Sequence, residues 1–233
     1  ISNDIGATNI KTCIYMFSDC SNLQSPCRIT FRYVSGETTN AYGFCNASGI
    51  SSLPSNMFSG TVGELFLGQA FYKCTNLSSI SSGAFNYTTN GGTQCNEMFY
   101  GCTSLLNVSG VTIPDIRNAS GMFRNSGLTT ITSSLFSDSP YCESYTYCFS
   151  GCRNLRTAGS QGNPITPPEH SVTVNINSMF ENCSNLSTAE YAFGDVTVNK
   201  SGPTGTDNSY IESGVLKHMN SCTDAFSGCS SMT

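Results

Sequence analysis

A chain of 233 residues with 11% charged residues and a formal net charge of −5 lacks the basic face that gripping nucleic acid requires. No apolar run reaches the roughly 18 residues of a membrane-spanning helix, so no span is predicted within this segment. Thirteen Cys, no Trp, and Ser, Thr and Asn in place of charge suit short extended pieces joined by tight turns, because these side chains hydrogen-bond locally to the backbone.

The first predicted element is a phrase, Phe17-Ser-Asp-Cys20-Ser-Asn-Leu23: an aromatic residue, Cys three residues on, Leu three further. It returns as Phe44…Ala47…Ile50, with Ala in the Cys place, then as Phe71…Cys74…Leu77 and Phe99…Cys102…Leu105. Phe123…Leu128 is one residue short, and Phe149…Cys152…Leu155, Phe180…Cys183…Leu186 and Phe226…Cys229…Met232 complete the series. Successive aromatics are 27, 27, 28, 24, 26, 31 and 46 residues apart, a unit near 27 with late insertions. A unit repeated along a whole chain is the signature of a solenoid, in which each unit buries its apolar face against its neighbours. Residues 1–233 are therefore expected to form a single solenoid of about eight units. The opening at Ile1 without Met, and the stop at Thr233 inside a repeat, read as a segment of a longer chain.

Within a unit, alternating stretches upstream of the aromatic predict half-buried strands: Ile29-Thr-Phe31-Arg-Tyr33, Val111-Thr-Ile113, Val172-Thr-Val174-Asn-Ile176 and Val196-Thr-Val198. The phrase itself predicts a short helical turn, since residues four before, at and three after the aromatic share one helix face. A second extended piece follows, with an apolar residue three beyond the Leu slot at Leu53, Ile80, Val108, Ile131, Ala158 and Ala189. Further aromatics at Phe58, Phe85, Phe136 and Phe193 close several units. The expected fold is a leucine-rich-repeat-like solenoid, mainly β and irregular, with short strands and short helical turns. Its core is Phe17, Cys20, Leu23, Phe71, Cys74, Leu77, Phe99, Cys102, Leu105, Phe149, Cys152, Leu155, Phe180, Cys183, Leu186, Phe226 and Cys229.

Six Cys occupy the same slot of the phrase, and Cys13, Cys95 and Cys222 add a second, four residues before the aromatic. On a helical turn the two Cys of one unit stand about 10 Å apart, too far for a bridge within it. Small and apolar in behaviour, Cys fits a ladder of buried free thiols. A local disulfide of Cys142 with Cys148, or of Cys27 with Cys13 or Cys20, stays open. The spacing of Cys142, Cys148 and Cys152 fits structural zinc poorly and lacks a fourth ligand nearby, so no metal is expected.

Catalytic chemistry finds no foothold. His170 and His218 stand apart from the repeats and read as solvated residues; there is no Gly-x-Ser-x-Gly elbow, and Gly91-Gly92 reads as a turn rather than a phosphate loop. The expectation is a protein that is not an enzyme and holds no cofactor. Sequons at Asn46, Asn76, Asn86, Asn107, Asn118 and Asn185 are weak evidence for secretion; at Asn76 and Asn185 the amide more naturally caps the backbone. The best binding candidates are outward strand residues: Arg28, Thr30 and Arg32, opposite Ile29, Phe31 and Tyr33, and Thr173 and Asn175, opposite Val172, Val174 and Ile176. Stacked rows of them would suit a glycan or another protein. The polar insertions 159–171 and 200–213 are candidate recognition loops.

The pattern Met/Ala-Phe-x-x-Cys-x-x-Leu-x-x-Ile resembles the BspA-like, Treponema-type leucine-rich repeats and the related Met-Phe-x-x-Cys repeats of bacterial surface lipoproteins. The resemblance implies a right-handed solenoid in a secreted or cell-surface protein that binds host matrix, other cells or glycans. Longer units and the missing leucine-proline turn set this chain apart. The function expected from it is extracellular recognition or adhesion, with a protein or glycan partner on a cell or matrix surface. The alternative is a structural subunit self-assembled into a surface fibre, sheath or virion appendage, since a solenoid without polar caps exposes apolar surface that must be covered.

Overall fold

The computed structural model describes residues 7–33, 35–131, 135–159, 165, 173–189, 192 and 219–232, and winds them as a parallel β-solenoid with no α-helix among them. The strands are short: β1 (Ala7–Ile10), β2 (Ile29–Phe31), β3 (Thr39–Asn40), β4 (Ser52–Leu53), β5 (Phe58–Phe66), β6 (Ser79–Ile80), β7 (Phe85–Gln94), β8 (Ile116–Asn118), β9 (Thr130–Ile131), β10 (Thr157–Ala158), β11 (Val174–Asn175) and β12 (Met219–Ser221). The main sheet runs β1-β2-β5-β7-β8, with β3 beside the end of β5. Smaller parallel pairs, β4 with β6 and β9 with β10, form where the sequence predicts the second extended piece.

The aromatic phrase does not form the expected helical turn. Residues two before and two after the aromatic slot have positive φ in every copy: Tyr15 and Asp19 at 50° and 58°, Gln69 and Lys73 at 53° and 55°, Glu97 and Gly101 at 54° and 70°, and so on to Asp224 and Gly228 at 55° and 75°. Left-handed residues break a right-handed helix, at about 1–2 kcal/mol each when not Gly. The chain instead makes tandem tight turns. The N–H groups of Met16, Ser18 and Cys20 donate back to the carbonyls of Cys13, Tyr15 and Phe17. The alternate N–H groups, of Cys13, Tyr15, Phe17 and Asp19, donate across to Asn40, Tyr42, Phe44 and Asn46 of the next rung at 2.8–3.0 Å. Alternation satisfies the donors of the phrase within the rung and between rungs, and the between-rung bonds hold the left-handed residues in place.

These bonds also fix the register. The residues five before the slot fall in one line: Thr12, Asn40, Phe66, Gln94, Asn118, Ser144, Asn175 and Ser221. Each copy of the phrase is thus one rung, even where long insertions intervene. The second copy is corrected by one residue. Phe17 donates to the carbonyl of Phe44, and Cys45 to that of Ala70, so Cys45 takes the aromatic slot and Ser48 the Cys slot. In the fifth copy Ser126 takes the Cys slot. Both copies are shortened at a glycine on which a Cβ would collide with the preceding rung, 1.8 Å from the Ser21 carbonyl oxygen at Gly49 and 2.1 Å from that of Thr103 at Gly127.

Phe71, Phe99, Phe123, Phe149, Phe180 and Phe226 stack in one column with ring centroids 5.3–5.7 Å apart. Each stacked pair adds about 0.5–1.5 kcal/mol beyond burial. Where Cys45 interrupts the column, Phe58 of β5 bridges the gap, 5.3 Å from Phe44 and 6.1 Å from Phe71. Cys74, Leu77, Cys102, Leu105, Cys152, Leu155, Cys183, Leu186 and Cys229 are buried beside it. The first rung is different: Phe17 and Leu23 are half-buried and Cys20 is exposed, because no rung among the described residues packs beyond them.

All thirteen Cys are free. In the Cys slot the five buried thiols donate to the carbonyl of the aromatic-slot residue one rung back: Cys74 to Cys45 at 2.9 Å, Cys102 to Phe71 at 3.2 Å, Cys152 to Phe123 at 3.0 Å, Cys183 to Phe149 and Cys229 to Phe180 at 3.1 Å. The slot requires a residue that is small, tolerates burial and carries a weak donor, and Cys meets all three conditions.

Of the predicted strands, Ile29–Phe31 forms, Val174–Asn175 forms, and Val111 and Ile113 are buried without strand pairing. Val172, Phe193 and Val196–Val198 lie outside the described residues. The two longest strands, β5 and β7, were not predicted, because Gly60, Gly63, Gly91 and Gly92 interrupt the alternation that marks a strand.

Candidate recognition surface

Arg28, Thr30 and Arg32 are exposed on the outer face of the sheet at β2. The Arg28 Nε donates to the Ser55 carbonyl at 3.0 Å, and the Thr30 hydroxyl is 3.1 Å from that of Ser59. Thr173 is exposed, whereas Asn175 is half-buried. The structure does not bring these two groups together. β2 pairs with the start of β5, while Asn175 stands in the line that crosses the end of β5 and lies several rungs further along. The Asn175 Oδ1 accepts the Asn177 N–H at 2.9 Å. Asn40 and Asn118 do the same for Tyr42 and Ser120, so this amide launches the turn rather than facing solvent as a free group.

A different surface is more continuous. Beside the slot, at two before and one and two after it, lie side chains that are exposed (Lys73, Asn125, Tyr147) or half-buried (Gln69, Tyr72, Glu97, Tyr100, Arg124). In the middle rungs they build a strip along the solenoid axis. The Lys73 ammonium lies 5.2 Å over the Tyr72 ring, Tyr72 stacks on Tyr100 at 4.8 Å, and the Asn125 Nδ2 donates to the Tyr100 hydroxyl at 3.1 Å. Beside it the Gln69 Nε2 donates to the Glu97 carboxylate at 2.7 Å, and the Arg124 guanidinium lies 4.7 Å over Tyr147. Tyr15 and Tyr42 meet edge to face at 5.6 Å at the other end.

Glycines make this strip possible. A Cβ on Gly101 would stand 3.3 Å from the Lys73 side chain, and one on Gly151 would stand 2.1 Å from the Asn125 Oδ1. Large side chains of one rung thus lie over bare backbone of the next. The signal was present in the sequence as the Tyr that follows the aromatic in two consecutive copies, Phe71-Tyr72 and Phe99-Tyr100.

The thiols beneath are chemically quiet. Burial pushes Cys152 up to about 11 and Cys142 up to about 12, so neither is a thiolate near neutral pH. Among the described residues no group of three or more His, Cys, Asp or Glu is placed to hold a metal ion. His170 and His218 lie outside the described residues, as does most of the 159–171 loop and all of 200–213. The exposed chemistry of the strip is hydroxyl, amide and ring edge, with isolated charges of both signs.

Comparison of the chain with protein-family models, curated proteins and solved structures gave no match.

Proposed function

We propose that the chain is a non-enzymatic recognition module of an extracellular or cell-surface protein, binding protein or glycan ligands through the outer surface of its turn ladder. The observation that carries this reading is the strip from Lys73 through Tyr72 and Tyr100 to Asn125, held in line by the register of the rungs. Tyrosine and amide side chains on a rigid frame give large contact area at low entropic cost, which is what a recognition surface needs. The resemblance of the aromatic–x–x–Cys–x–x–Leu phrase to BspA-like surface repeats supports the same reading. The buried thiols are compatible with an oxidising environment, since disulfide chemistry needs an accessible thiolate. No helix among the described residues is long and apolar enough to cross a membrane.

The second reading is a subunit of a surface fibre built from many copies. It is favoured by Ile14, Tyr15 and Met16 on the first described rung, which are 45%, 50% and 48% exposed. Binding of the purified chain to cells and to immobilised matrix, compared with the Tyr72→Ala/Tyr100→Ala double variant, tests the first reading. Light scattering on the same samples tests the second. Loss of binding in a folded, monomeric variant supports recognition; equal binding by both proteins overturns the assignment of the strip, and a large concentration-dependent species in place of a monomer makes assembly the function.

A further inference from the structure

We propose that the ligand of the turn-face strip is a neutral, linear glycan lying along the solenoid axis, one sugar residue per rung. This rests on the recognition reading above and names its ligand class. The direction follows from the register. Tyr72 and Tyr100 occupy the same position of successive rungs, and Asn125 reaches Tyr100 from the rung after, so contacts recur at the rung spacing, about 4.8 Å. A ligand that exploits them must be extended along the axis and repeat at a similar length, as a polysaccharide does.

The chemistry narrows the class further. Tyr72 stacks on Tyr100 and the Lys73 ammonium lies over its ring, so ring edges, hydroxyls and amides make up most of what the strip offers outward. Such groups recognise hydroxyls by hydrogen bonding. The charges of the strip are isolated and of both signs, Lys73 and Arg124 against Glu97, and give no one-signed field that would select a polyanion. An extended peptide is disfavoured for a separate reason. It would dock by pairing with free backbone groups. On the Phe71 rung the N–H groups from Gln69 to Cys74 are already committed, Gln69, Phe71 and Lys73 to the next rung and Ala70, Tyr72 and Cys74 within their own. Side chains alone are left to bind, which suits a polyhydroxylated chain.

The test is titration calorimetry of the full chain with cello- and chito-oligosaccharides of increasing length. Affinity should rise with each added sugar until the oligomer outruns the strip, and Tyr100→Phe, which keeps the stack but removes the hydroxyl, should weaken it by about tenfold. Tyr72→Ala/Tyr100→Ala should abolish it, while Thr61→Ala/Thr88→Ala on the sheet face leaves it unchanged. Affinity independent of length, equal loss in the sheet-face variant, or no binding by any oligomer overturns the proposal. If oligomers fail but Tyr72→Ala/Tyr100→Ala still removes cell or matrix binding, recognition by the strip stands and the glycan assignment alone falls.

Discussion

Along the turn side of this solenoid every rung keeps the same plan, with left-handed residues two before and two after the aromatic slot and a line of contacts from Thr12 to Ser221. On the strand side little is constant: β5 and β7 run 9 and 10 residues, β2 has 3 and β11 only 2. The turn side commits alternate N–H groups to the neighbouring rung, so one residue more or fewer would break both sets of bonds. The strand side needs only backbone pairing, which forms wherever an extended stretch happens to lie. Length variation therefore collects between the phrases, and within them it is allowed only at Gly49 and Gly127, where the chain can press against the preceding rung.

The largest test of that contrast uses the thiols packed under the turn side. Burial raises Cys142 to about 12 and Cys152 to about 11, against roughly 8.5 in an unfolded chain. The folded state then holds protons that the unfolded state releases. Their stabilising contribution is complete below the unfolded value and is lost as pH climbs toward the folded ones, at about 1.4 kcal/mol per pH unit for each such thiol. Urea unfolding should show steeply falling stability from pH 8.5 to 10.5, and a flat profile there would mean the thiols are not buried as described.

Next in size, Phe123→Ala opens the middle of the stacked column and should cost about 3–5 kcal/mol. A comparable strand-side truncation, Val62→Ala in β5, should cost about 1–3 kcal/mol. Equal midpoint shifts in denaturant would remove the distinction between the two sides. Gly127→Ala forces a Cβ against the Thr103 carbonyl and should cost about 1–3 kcal/mol. The smallest change is Cys152→Ser: the hydroxyl retains a donor toward the Phe123 carbonyl, so a shift within about 1 kcal/mol is expected, as Ser126 and Ser48 in the same slot already suggest. A much larger loss would show that the slot needs sulfur for its bulk and apolarity rather than for its hydrogen bond.

The candidate site was less readable than the fold. Arg28 and Thr30 were found because strand alternation marks outward residues, and they are outward. Asn175 obeyed the same alternation, but its amide is engaged in the turn that follows. The Tyr72–Tyr100 strip was overlooked because Tyr follows the aromatic in only two copies, too few to mark a repeat position. Phe44 was set in the aromatic slot that Cys45 occupies, because it satisfied the aromatic pattern one residue early.

By itself the sequence determined the period, the solenoid, and which side chains of the phrase face inward, because burial demands apolar residues at fixed spacing whatever the backbone does. Only the tertiary structure decided how the backbone achieves it. Residues at the slot and three beyond it share a face in a helix and in tandem turns alike, so periodicity cannot separate the two. The sign of φ at Tyr15, Lys73 or Asn125 is settled by hydrogen bonds to the neighbouring rung, a partner about 27 residues away. That same long-range pairing places the thiols under carbonyls and the tyrosines in one line.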